Sequence, residues 1–233
     1  MQILHRSREL LIRQRTQLGN ALRAHLAELG MIFPQGLGGL SQAIRATRKQ
    51  LDDDCPALAR KVLVRLADQI AVLRDEISAL DEQLASWHRS NEDSQRLATI
   101  PGIGVITASA ILAAIGDGKQ FKSGREFAAW IGLVPRQNSS GGKDRLGRIS
   151  KQGNQYLRTL LVLGATTQLR NGIRAKAPGG MWFDQLLKRR PARVASIALA
   201  NKMARVAWAV LTRGERYDAG RTKSAAMIAA VAA

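Results

Sequence analysis

Ala59, Leu63, Leu66, Ile70, Leu73, Ile77, Leu80, Leu84 and Trp87 alternate steps of four and three, and no glycine or proline interrupts residues 57–91. Such an a/d seam, held over four heptads, demands one long helix lying along a partner. Asp53, Asp54 and Pro56 stand at its start. An earlier helical pattern, Leu4, Leu11, Leu18, Leu22 and Leu29, opens almost at Met1 and is closed by Gly30 and Pro34. Between the two, Gly36-Leu-Gly-Gly39 reads as a turn, and Ser41 is in position to cap a short helix through about Gln50. The seam fits a coiled coil between two subunits, or a helix packed on the first helix of its own chain. The expectation is an antiparallel helical hairpin over residues 1–94 that also makes a homo-oligomer.

Helical periodicity continues beyond that arm. The pattern predicts helices at about 104–116, 123–131, 153–170, 181–188 and 192–212, and no strongly alternating β run appears. The expected fold class is therefore all-α. The arm is followed by a compact helical domain over residues 95–233, whose last stretch from Arg213 is weakly helical or frayed.

Charge separates the same two regions. Lys and Arg number 36 against 18 Asp and Glu, a net charge of +18. Residues 1–51 carry +6, 52–94 carry −5, 95–118 are neutral and 119–233 carry +17. A polyanion such as DNA gains from meeting the last half, since each neutralised phosphate releases counterions. A ribosomal-type basic protein would share this excess. The single cysteine, Cys55, excludes a disulfide and a cysteine-rich zinc site. No run of eighteen apolar residues and no signal-peptide core is present, so a cytoplasmic, non-membrane protein is expected. Aromatics at 4% argue against a base-stacking platform for single strands.

Two segments carry chemistry. In Pro101-Gly-Ile-Gly104, flanked by Leu97, Ile100, Ala108, Ile111, Leu112 and Ile115, Gly102 and Gly104 leave room for a phosphate backbone. Ile103 can plug the turn into the core, and the N–H groups of Gly104, Val105 and Ile106 open a helix toward an anion. This is a helix-hairpin-helix pattern, which grips backbone and not bases; an ordinary tight turn between helices would look similar. It is neither a P-loop nor a dinucleotide fingerprint, lacking the Gly-Lys-Ser/Thr of one and the preceding strand of the other.

The second segment, 135–151, holds Arg136, Ser139, Ser140, Gly141, Gly142, Lys143, Arg145, Arg148 and Lys151. Serine hydroxyls need a base or metal to become nucleophiles. Nearby cations can stabilise charge on a phosphorus under attack. By itself the segment reads as a flexible loop or phosphate clamp. Tyr156, beside Leu157 and Leu160, fits a core position better than a nucleophile. His5, His25 and His88, the only histidines, lie far from it in sequence and fit surface or hairpin positions, not ligands.

These residues resemble the C-terminal domain of DEDD-type insertion-sequence transposases, relatives of Piv-type DNA invertases and of bridge-RNA-guided recombinases. The resemblance runs through Ile100-Pro-Gly-Ile-Gly104, Phe121-Lys-Ser123, Ala128-Ala-Trp-Ile-Gly-Leu-Val-Pro135, Ser139-Ser-Gly-Gly-Lys143, Leu146-Gly-Arg-Ile-Ser-Lys151 and Gly153-Asn-Gln-Tyr-Leu-Arg158. It implies DNA transposition through serine attack on a phosphodiester. Ser140, directly before Gly141, takes the nucleophile's place, with Ser139 next. Ser150 is expected instead to cap the helix that follows. Arg136, Lys143, Arg145, Arg148 and Lys151 are expected to hold phosphates, and Gly102 and Gly104 to seat the backbone. The family also implies a guide RNA as partner and an N-terminal RNase H-like domain whose carboxylates hold Mg. The acids here do not replace that domain: ten of the 18 lie in 52–94, and Asp117, Glu126, Asp144 and Asp184 are scattered. No metal or cofactor site is expected in these residues, and the chain alone is expected to bind without completing recombination. The alternative is a non-catalytic helix-hairpin-helix nucleic-acid-binding module; a basic coiled-coil protein that binds RNA is a third reading.

Overall fold

The computed structural model describes residues 1–49, 55–138, 146–170 and 180–218, and in them the protein is all-α apart from one small β-ribbon. The order is α1 (Gln2–Glu28), α2 (Gly36–Lys49), α3 (Ala57–Arg89), α4 (Glu92–Ala98), α5 (Val105–Ile115), α6 (Gly124–Trp130), β1 (Pro135–Gln137), β2 (Leu146–Ile149), α7 (Gln155–Arg170), α8 (Gly180–Arg189) and α9 (Ala192–Arg213). Two compact units divide the chain within α3, between Gln83 and Leu84.

In the first unit α1 and α3 run antiparallel. Arg8 on α1 pairs with Asp81 near the far end of α3, while Leu22 and Leu26 share a core with Leu63, Ala67 and Ile70. The seam is unevenly covered. Leu63, Ile70, Ile77 and Leu84, every seventh residue, are buried, whereas Leu66, Leu73 and Leu80 are half-buried. α2 crosses α1 where Gly19 lets Leu40 approach. Ser41 lies inside α2, not at its start, and its hydroxyl donates back to the Leu37 carbonyl at 3.0 Å. His5 is buried, and exposed His25 faces Glu28 at 3.7 Å.

In the second unit α7 packs along α9, with α4, α6 and α8 also against α9 and α5 against α4 and α7. α9 is long and apolar enough by composition to cross a membrane. Here it serves as the core helix: Ala195, Leu199, Ala200, Met203, Ala204 and Ala207 are buried among Leu157, Leu161 and Phe127. At the joint of α3 and α4, His88 Nδ1 lies 2.6 Å from Ser94 Oγ. Burial and the neighbouring Arg89 charge lower its pKa. α6 begins with a cap that explains Phe121-Lys-Ser123. The Ser123 hydroxyl accepts from the Glu126 N–H at 3.3 Å, and the Glu126 carboxylate accepts from the Lys122 N–H at 2.7 Å, a variant of the capping box.

The turn from α4 to α5 locks onto α7. Ile100 to Ile103 forms a tight turn closed by the Ile103 N–H on the Ile100 carbonyl at 2.9 Å. Pro101 and Gly102, at φ +89°, fill its two central places, as a type II turn requires. Ile103 is buried at 3% exposure. A Cβ added at Gly164 of α7 would stand 2.0 Å from the Gly102 carbonyl oxygen. Gly164→Ala is therefore expected to cost about 3 kcal/mol through forced separation of packed backbones. Thr167→Ala, at an exposed position of the same helix, should stay within about 0.5 kcal/mol. Urea midpoints of the two variants measure the contrast.

Candidate nucleic-acid interface

The serine segment is carried by a β-hairpin that sequence periodicity did not show. β1 and β2 pair antiparallel, Pro135 opposite Ile149 and Gln137 opposite Leu146, with an irregularity between the two. Strands of three and four residues are too short to leave an alternating pattern, so this small ribbon sits within a fold that is otherwise all-α as expected. Ser139, Ser140, Lys143 and Arg145 lie outside the described residues.

The roots of this hairpin are fixed. The Ser150 N–H donates to the Val134 carbonyl at 2.9 Å and the Lys151 N–H to the Gly132 carbonyl at 3.1 Å. Arg158 of α7 reaches across, donating to the carbonyls of Ile131 at 2.6 Å and Gln152 at 2.9 Å. The cap of α7 is Asn154, whose side chain accepts from the Leu157 N–H at 3.0 Å. Ser150 belongs to the ribbon instead, four residues too early to cap. Tyr156 is half-buried and packed against the core.

Three predicted phosphate ligands fall together on this ribbon. Arg136 and Arg148 extend from opposite strands and Lys151 follows β2; all three are exposed. Arg136 donates to the Ser150 carbonyl at 3.3 Å, which leaves its charge uncompensated. Among the described residues no carboxylate pairs with any of the three. Lys151 sits at φ +57°, the one described non-glycine residue with positive φ. An L-residue there costs about 1–2 kcal/mol, so its cation is held in place against backbone preference.

The two glycines of the helical turn differ. A Cβ on Gly102 would meet Met203 Cε at 2.7 Å and the Gly164 carbonyl at 3.1 Å, so packing and the turn already require glycine there. Gly104 is exposed and nothing stands within 4 Å of the space beside it. It is the N-cap of α5 and brings no side-chain hydrogen bond to the first N–H groups. The open end of α5 is thus free to meet an anion.

A second feature gave no sequence signal. The base of the ribbon, the start of α6, α8 and one face of α9 enclose a groove of about 1300 Å³. Its floor includes Leu133, Ile149, Ile197 and Val206 with Trp182 and Trp208. Arg125, Arg148, Lys151, Lys202, Arg205 and Arg213 also line it, with no acid among the described residues. Lys202 Nζ stands 4.8 Å from the Trp182 ring centroid, a cation–π distance. Burial and the neighbouring Arg205 charge hold the Lys202 ammonium below the ordinary lysine value. These residues come from four separated segments. Among the described residues no group of three His, Cys, Asp or Glu side chains is arranged to hold a metal.

Such a helical body, with a cationic ribbon at its surface, has the character of a nucleic-acid-handling domain. Residues 94–178 match the transposase IS116/IS110/IS902 family. Those residues are thus similar to a transposase domain of that type. The chain is 42% identical over 221 residues to a probable family 20 transposase of Pseudomonas aeruginosa, covering 94% of this chain and 65% of that protein. It is 37% identical over 220 residues to the transposase for insertion sequence element IS1111A of Coxiella burnetii, covering 94% and 60%. It is also 30% identical over 163 residues to the pilin gene-inverting protein of Moraxella bovis, covering 65% and 48%. The chain thus spans between about half and two thirds of the length of these relatives.

Two substitutions separate binding from folding. Gly104→Asp supplies a capping carboxylate to α5 and should raise stability by up to about 1 kcal/mol. The same charge repels phosphate, so duplex DNA affinity should fall about tenfold (one lost charge-assisted contact); a thermal melt and an anisotropy titration read the two effects. Lys151→Gly should leave stability within about 1 kcal/mol, as relieved strain offsets a looser unfolded chain. Its log–log salt slope for duplex binding should shrink by about one unit.

Proposed function

We propose that this chain holds DNA, with a guide RNA as further partner, for transposition by a DEDD-type insertion-sequence transposase, and that Ser140 is the nucleophile. What supports the reading is the placement of the family match. It covers the ribbon around Ser139 and Ser140, rooted among Arg136, Arg148 and Lys151, which have no acidic partner among the described residues. In the proposed step the Ser140 Oγ–P bond forms and one bridging P–O bond breaks. The hydroxyl proton passes to a base or solvent, and the freed sugar oxygen takes up a proton. Arg136, Lys143, Arg145, Arg148 and Lys151 hold the flanking and attacked phosphates. Gly104 and the α5 N–H groups seat a backbone phosphate, with Gly102 shaping the turn.

A serine hydroxyl at neutral pH needs activation. A divalent metal, Mg, on an RNase H-like module would supply it by lowering the barrier to deprotonation and shielding phosphate charge. Action in the cytoplasm and a homo-oligomer through α3 complete the proposal. The half-buried Leu66, Leu73 and Leu80 leave an apolar edge for a second copy.

With that metal-bearing module supplied, Ser140→Ala should abolish the covalent protein–DNA adduct on a denaturing gel while leaving DNA binding within about twofold, because a single uncharged hydroxyl adds little to phosphate affinity. An adduct that survives Ser140→Ala and disappears in Ser139→Ala would move the nucleophile by one residue. No adduct under any complementation would favour a non-catalytic binding module. Strand exchange by the purified chain with guide RNA and metal alone would refute the need for a second module.

A further inference from the structure

We infer that the groove between the ribbon base and α9 is a binding site for single-stranded DNA, in which an unpaired base stacks on Trp182 while neighbouring phosphates take the cations of α9. The proposal rests on reading this unit as a DNA-handling domain and adds which form of DNA it takes.

The floor and the rim make opposite demands on a ligand. Leu133, Ile149, Ile197 and Val206 with the two tryptophans present an apolar surface, while the six cations around them have no carboxylate partner among the described residues. A ligand must bring flat apolar surface and repeated negative charge together. Double-helical DNA brings the charge, but its bases are stacked inside and would leave the floor uncovered. A single strand exposes both. Lys202, Arg205 and Arg213 recur at helical spacing on α9, and the eleven steps from first to last span about 16 Å at the helical rise. That row follows a strand backbone for a few nucleotides.

Trp182 is 38% exposed, and Lys202 beside its ring is placed to bond a phosphate once a base covers the indole. Trp208 is fixed in place, donating from Nε1 to the Gly118 carbonyl at 3.1 Å. Asn201 donates to the Leu133 carbonyl at 3.1 Å, which tethers α9 to the ribbon root. Arg148 and Ile149 of β2 and Lys151 just after it line the groove, and β2 follows Ser139 and Ser140 in sequence. An unpaired base bound here therefore lies against the strand that follows the proposed nucleophile in sequence. The low aromatic content of the whole chain is no obstacle, since two of the four tryptophans meet in this groove.

The test titrates the full chain with a labelled oligothymidylate of about 12 nucleotides and, separately, with a duplex. Trp182→Ala should weaken oligothymidylate binding about tenfold, the size of one lost base–aromatic stack, with duplex binding changed less than about twofold. Trp182→Phe should recover most of the loss. In the unaltered chain, oligothymidylate carrying 5-iododeoxyuridine should photo-crosslink to Trp182 or Trp208, a readout independent of whether the variants fold. Equal loss for both DNA forms, no loss, or crosslinks mapped only outside the groove would overturn the proposal. So would an oligouridylate that binds as tightly with the same Trp182 dependence, which would assign the groove to RNA. Duplex binding without oligothymidylate binding would sink the groove alone; binding to neither would sink the DNA-handling reading with it.

Discussion

The turn after α6 and the turn before α7 meet backbone to backbone, and only hydrogen fits between them. A Cβ on Gly132 would lie 2.2 Å from the Gln152 carbonyl oxygen, and one on Gly153 would lie 1.7 Å from that of Trp130. Both glycines take positive φ, +80° and +73°, which lets the chain reverse at this point. Arg158 closes the clasp by serving two carbonyls that would otherwise be left without a strong donor. A two-stranded ribbon of this length has no stability of its own. It persists because both its roots are bolted to the ends of helices whose other faces are buried in the core. The strain at Lys151 follows from the same constraint, since its N–H is held on the Gly132 carbonyl.

α9 extends that constraint across the unit. It holds the ribbon root through Asn201 and the α5–α6 connection through Trp208. Its backbone at Arg205 touches the start of α6, where a Cβ on Gly124 would come within 2.9 Å of the Arg205 carbonyl. One face of this helix is small and apolar and goes inward; the other carries Lys202, Arg205 and Arg213. An apolar helix that reads by composition as a membrane span is thereby a core helix with a cationic outer row. The turn at Pro101 to Gly104 is fixed from within as well, through Gly102 against Gly164. The part left outward is the start of α5, and the helix dipole and the N–H groups that lack a partner within the helix favour negative charge there.

The seam from Ala59 to Trp87 announced α3, because burial of every seventh residue imposes its period over the whole helix. The helices after residue 95 were legible within about two residues, and Ile103 between two glycines announced a plugged turn. The ribbon was not legible: its strands are held by the clasp and by Arg158, contacts between positions up to 27 apart that leave no period. Hydroxyl side chains also misled. Ser41 and Ser150 resemble caps locally, but one bonds backward within α2 and the other is a strand-end residue, while Asn154 does the capping. Gly102 is required by internal packing while Gly104 is open to a ligand, and the two look the same in sequence. The groove was hidden because Trp182, Arg148, Arg125 and Lys202 come from elements that no local pattern connects.

The charge asymmetry of the chain is realised pair by pair. In the first unit cations meet acids of the same unit: Arg8 with Asp81, Arg48 with Asp68 at 2.8 Å, and Arg74 with Asp75 at 3.1 Å. Such exposed pairs add little stability, but they cancel much of the field that would draw a polyanion there. Around the ribbon and groove the described cations have no such partners, and Lys202 bears part of the cost of burial as well. Like charges gathered this way repel one another and weaken the folded state. An arrangement that lowers stability in the free protein is relieved when phosphates arrive. The affinity this releases falls as salt rises, because the counterions displaced return at higher concentration. The apolar floor contributes a part that salt does not screen. On the proposed single-strand reading, binding to the groove should thus retain more strength at high salt than binding to the ribbon and the α5 end.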